Sequence, residues 1–92
     1  MLIGTIRLHL YLDTKTLKEK RRIISSLKEK TRNKFNASIA EVDYNDDHSN
    51  AVIGIAVVSN DGNYLNSVLY SILDFINKEF PTIVGDYQVE II

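Results

Sequence analysis

With 92 residues, no cysteine, 45% hydrophobic and 25% charged residues, the chain has the composition of one small folded domain over residues 1–92, which excludes disulfides, thiolate metal sites and cysteine nucleophiles. Its longest apolar run, Ala51–Val58, is far too short for a membrane span, and the alternating N-terminus with Arg7, His9 and Asp13 is no signal peptide; a cytoplasmic protein with no membrane contact is expected. The formal net charge of −1 conceals a segregation: residues 15–34 hold nine of the eleven Lys and Arg against two acids, a local +7, while the rest carries two against ten, −8.

Leu2 to Leu12 alternates with period two, which predicts a half-buried strand with Arg7 and His9 facing outward. Thr16-Leu17-Lys18-Glu19 reads as a capping box opening a helix that runs to about Asn33. Its apolar stripe is narrow: Leu17, Ile24, Leu27 and Thr31, with Ile23 beside it. Lys20 and Lys34 fall toward the buried side, where their stems would snorkel.

A second strand is expected from about Phe35 to Tyr44, with Ser38, Ala40 and Val42 alternating with Ile39, Glu41 and Asp43. Asn45–Asn50 is a turn by composition. Ala51–Ser59, apolar on both faces, suits a central strand. Asn60-Asp61-Gly62 marks a helix entry, followed by Leu65, Val68, Leu69, Ile72, Leu73 and Ile76 at helical spacing. Phe80-Pro81 ends that helix, and Val84–Ile92 forms a last strand with Tyr87, Val89 and Ile91 on one face. The order βαββαβ predicts an α+β, ferredoxin-like fold: a four-stranded antiparallel sheet with two helices on one face and the other face open.

On the first helix, Lys18, Arg21, Ser25, Lys28 and Arg32 recur at steps of three and four, with Arg22 alongside. This makes a basic stripe about 21 Å long at ~1.5 Å per residue. Such a stripe can meet several phosphates of one nucleic-acid strand with little base specificity. It equally suits a solvated face or an acidic protein partner. Glu19 with Arg22 and Glu29 with Arg32 would quench part of it. DNA sequence readout is not expected.

The open sheet face gives little support to base stacking as in RNA-recognition motifs, because the first strand offers only Tyr11 and His9 and the third no aromatic. An apolar open face would instead suit a homodimer or regulatory module. Glu41, Asp43, Asp46, Asp47 and His48 gather oxygen ligands and one imidazole near a turn, but their spacing matches no calcium or zinc motif. Asn and Asp also initiate turns, so no metal or other cofactor is expected. A weak divalent-metal- or small-molecule-binding domain using Glu41, Asp43, Asp47 and His48 is kept as an alternative. Arg7 is expected to meet Glu90 across the sheet. With no Ser/His/Asp pattern and no glycine-rich phosphate loop, an enzyme is the less favoured class.

Leu17-Lys18-Glu19-Lys20-Arg21-Arg22, Phe35 to Asp43 (FNASIAEVD), Gly54 to Asp61 (GIAVVSND) and the end Tyr87-Gln88-Val89-Glu90-Ile91 together resemble the YlxP-like family of small bacterial proteins. The resemblance runs from Met1 through the closing strand. It implies a ferredoxin-like fold and no established activity. Genes of that family often neighbour genes of translation initiation, ribosome maturation and RNA modification, which implies ribosomal RNA or a ribosomal particle as partner. Two departures stand in the turn: His48 takes the place of a frequent aromatic, and Tyr44 that of a frequent histidine.

Overall fold

The computed structural model describes residues 1–92. The elements are β1 (Leu2–Tyr11), α1 (Leu17–Lys34), β2 (Ser38–Asp43), β3 (Asn50–Ser59), α2 (Gly62–Glu79) and β4 (Val84–Ile91). The strands form one sheet in the order β2-β3-β1-β4 with every neighbouring pair antiparallel. The two helices cover one face, α1 over β2 and α2 over β1, β3 and β4. This is the ferredoxin-like arrangement that the element order predicts.

Each boundary has a local cause. Thr16 is extended, and its hydroxyl accepts from the Glu19 N–H at 3.2 Å. The Glu19 carboxylate reaches back to Lys15 N–H at 3.3 Å, one residue before the cap. Asp61 caps α2 by accepting from Asn63 and Tyr64 N–H. Phe35 donates its N–H to Thr31 O and turns its ring edge-on to Phe75, so β2 begins only at Ser38, not at Phe35.

The core lies between helices and sheet. Ile6, Leu8 and Leu10 of β1 meet Ala51, Ile53, Ile55 and Val57 of β3 and Leu65, Leu69, Ile72 and Ile76 of α2. Burying each of the Val, Leu and Ile side chains stabilises by about 1.5–3 kcal/mol relative to exposure. Helix α1 contributes less apolar surface: Ile24 and Leu27, together with two polar residues, Thr31 and Lys20. Thr31 meets its hydroxyl requirement by donating to Leu27 O at 2.7 Å.

Lys20 does not snorkel. It is 1% exposed, as enclosed as the core leucines. Two further expectations are corrected by register. Glu90 stands opposite Thr5, and Arg7 opposite Gln88, so Arg7 pairs instead with Asp43 at 3.6 Å on the open face. Asp43 reaches that face because β2 bulges: Glu41 opposes Ile53 and Asp43 opposes Val52, with Val42 as the extra residue. The bulge breaks the alternation that would have put Glu41 and Asp43 on one side.

Candidate nucleic-acid interface

Helix α1 has two distinct flanks, and its side-chain contacts identify them. Lys30 and Lys34 lie over the rings of Phe80 and Phe75, so that flank faces α2 and its cations are engaged with aromatic faces. On the other flank Arg32 donates from Nη2 to Ile39 O at 2.8 Å. Ile39 belongs to β2, an edge strand, so this flank borders the free edge of the sheet. Arg21 and Lys28 fall on the same side as Arg32, and Lys18 and Arg22 on the outward side. The five predicted residues thus form one continuous surface, which Ser25 and Ser26 indent and in which Glu29 also lies.

Their freedom differs. Lys18, Arg21, Arg22 and Lys28 have no carboxylate within ion-pairing distance; the ion pairs of the chain are Arg7–Asp43 and Lys20–Glu41. The expected pairs Glu19–Arg22 and Glu29–Arg32 do not form. Arg32 is partly committed, since its guanidinium satisfies an edge carbonyl.

Lys20 closes the seam between α1 and β2. Its Nζ donates to Tyr44 O and Asp47 O, both at 2.5 Å, and lies 2.8 Å from Glu41 Oε2. That carboxylate oxygen is out of hydrogen-bonding alignment, so charge rather than a directed bond holds the pair. A buried ammonium persists only when such oxygens replace its water. The effect is to clamp the β2–β3 turn onto the helix. His48 Nδ1 donates to Thr14 O at 2.7 Å, and the Thr14 hydroxyl donates back to His48 O, which fixes the far side of the turn.

The acidic cluster in this turn is dispersed rather than convergent. Glu41 faces Lys20 and Asp43 faces Arg7. Asp47 accepts from Ser49 N–H at 2.7 Å and Asn50 N–H at 3.1 Å. These bonds, Ser49 foremost, hold the Asp47 carboxyl below its ordinary 3.8, against an opposing desolvation and with smaller help from the Asn50 side chain and His48. No three of the His, Asp and Glu side chains converge on a common point.

On the open face one further ring joins the two of β1. Tyr44 adopts φ 60, the one positive φ in the chain, and its ring comes to 5.4 Å from the His9 ring. His9 in turn stacks on Tyr11 at 4.2 Å and 18°.

Residues 3–89 match the family described as "Protein of unknown function (DUF503)". The "Uncharacterized protein YlxP" of Bacillus subtilis (strain 168) is 38% identical over 71 residues, which cover 77% of this chain and 76% of that one. The chain belongs to this YlxP-like family of unknown function. Among solved structures it is similar to the de novo designed protein Foldit4, with TM-score 0.60, 15% identity, and coverage of 99% and 94% of the two chains. It is similar also to the de novo designed protein LFR1 1 with ferredoxin fold, with TM-score 0.51, 16% identity, and coverage of 100% and 84%. At those identities the likeness concerns the fold alone.

Proposed function

We propose that this protein is a non-enzymatic accessory protein that associates with ribosomal RNA or a ribosomal particle through α1. Lys18, Arg21, Arg22 and Lys28 contact phosphate, and Arg32 contributes while it holds the β2 edge. The observation that carries the reading is that these four cations lie on one surface with no carboxylate paired to them, although twelve acids are present in the chain. A surface built only for solubility would disperse both signs, whereas Glu29 is the one acid lining this surface and is paired with none of the cations. Each phosphate neutralised releases counterion, which drives binding without sequence readout.

The test is binding to naked ribosomal RNA and to small-subunit particles across a salt series. Three to five contacts give a log–log slope of roughly −2 to −4. Reversal by Arg21→Glu with Lys28→Glu abolishes binding and leaves the circular dichroism unchanged. No binding to either target at low salt removes the reading.

A second reading, a homodimer through the open sheet face, draws support from Val42 and Val58, both more than half exposed there. A monomer by light scattering at high micromolar concentration counts against it.

A further inference from the structure

We infer that one end of the open sheet face is a stacking platform for the bases of single-stranded RNA, built from Tyr44, His9 and Tyr11 with Arg7 beside them. This rests on the RNA reading above and adds to it the part of the strand that α1 leaves unbound.

The three rings form a row across the sheet. Tyr44 stands at the end of β2, and His9 and Tyr11 follow on β1. The Tyr11 ring lies over Gly85 of β4, where any Cβ would collide with it. Glycine at that position lets the ring lie down on the sheet. His9 Nε2 donates to Asn50 Oδ1 at 3.0 Å, which fixes the plane of the imidazole. The row is therefore set before any ligand arrives, and a preset surface spends less affinity on ordering.

The placement of Tyr44 is costly. A left-handed backbone suits Gly or Asn, and a bulky side chain there is strained. Its N–H is held by Asp43 Oδ1 at 2.8 Å and its C=O by the buried Lys20. Strain of this kind, kept in place by a buried charge, characterises functional surfaces. What it achieves is to hold a tyrosine ring beside His9 without covering it: Tyr44 remains 44% exposed and Tyr11 50% exposed.

The charge arrangement selects the occupant. Arg7 sits on the same face but is ion-paired with Asp43 at 3.6 Å, and the Tyr11 hydroxyl donates to Asp86 at 3.5 Å. The cations that meet phosphate are therefore those of α1 and not of the platform. The Arg21, Lys28 and Arg32 flank of α1 borders the free edge of β2, the edge next to Tyr44. A strand that crosses the β2 edge presents phosphates to that flank and splays bases onto Tyr44 and Tyr11. An acidic peptide would use the cations and leave the rings idle. Stacking accepts any base, since every base has a π-face.

The experiment compares a ten-nucleotide oligouridylate with an abasic ribose-phosphate oligomer of equal length, on the wild type, Tyr44→Asn and Tyr11→Leu. Asn keeps the left-handed backbone, so Tyr44→Asn removes the ring and preserves the turn. Oligouridylate is expected to bind at least about 10-fold tighter than the abasic oligomer, and each variant to lose about 10-fold for oligouridylate. Abasic binding stays unchanged in both variants and is abolished by Arg21→Glu with Lys28→Glu. Equal binding of the two oligomers to the wild type overturns the platform and leaves the α1 reading intact. A base preference that survives both tyrosine substitutions also overturns it. Binding of neither oligomer at low salt overturns both.

Discussion

The ammonium of Lys20 lies 2.8 Å from the carboxylate of Glu41, inside the seam where α1 rests on β2. The two side chains are 1% and 15% exposed, so water screens neither fully. Two backbone carbonyls, of Tyr44 and Asp47, complete the shell around Nζ. One cation thereby joins a helix, a strand and the turn that carries Tyr44.

Replacing Lys20 by Met strands the Glu41 charge and leaves two carbonyls without a donor. Removal of one partner from a buried pair costs about 3 kcal/mol. Urea unfolding of Lys20→Met should show a loss of that size. Lys20→Met with Glu41→Gln should lose less than the sum of the single changes, because the uncompensated charge is gone. Strict additivity would mean that the pair is not coupled.

Much of the fold is legible in the sequence because periodicity reports it. Alternation identifies β1, the helical spacing of Leu65 to Ile76 identifies α2, and two-faced apolarity identifies β3 as central. Both caps are readable from Thr16 and Asp61. The basic surface is readable too, as a row of charges at steps of three and four. The platform is not. It depends on a bulge that moves Asp43 to the open face, on a positive φ at Tyr44, and on a lysine whose charge points inward. Each is a departure from a periodic rule, and each is decided by tertiary contacts. The signal that hinted at Lys20 was its place on the buried side of α1, together with Glu41 in β2.

Arg32 separates structure from binding within the basic surface. Its guanidinium satisfies the Ile39 carbonyl at the sheet edge, whereas Arg21 and Arg22 satisfy nothing. Arg32→Ala should cost about 1 kcal/mol in urea unfolding. Arg21→Ala and Arg22→Ala should stay within about 0.5 kcal/mol of the wild type. Equal stability of all three variants would show that the edge contact contributes nothing.

Asp47 sets an acid limit on the β2–β3 turn. Its carboxyl is held below 3.8 chiefly by the Ser49 N–H, so the folded state takes up the proton less readily than the unfolded chain. The stabilisation is then fully present above the unfolded value and fades as pH falls through the folded one. Asp47→Asn lacks this charge. The Tm gap between wild type and variant, present at about pH 6, should close as pH approaches about 2. A gap that stays constant over that window would assign the effect to the amide substitution itself and not to the charge.

The backbone of Tyr44 tests whether its ring is held at a conformational cost. At φ 60, an L-residue without a local polar side chain is strained by roughly 1–2 kcal/mol, and Asn relieves part of this. Tyr44→Ala removes the ring and keeps the strain, while Tyr44→Asn removes the ring and part of the strain. Both variants lose the packing of a residue that is 44% exposed, so that loss is common to the two and is offset by strain relief in Asn alone. Tyr44→Asn should therefore be more stable than Tyr44→Ala by about 1 kcal/mol in urea unfolding, and close to the wild type. If Ala and Asn destabilise equally, the left-handed turn costs nothing, and the reason for reading Tyr44 as a residue held for binding disappears. If Asn restores stability but RNA affinity falls, strain and ring have been separated, and the tyrosine at this position serves the ligand and not the fold.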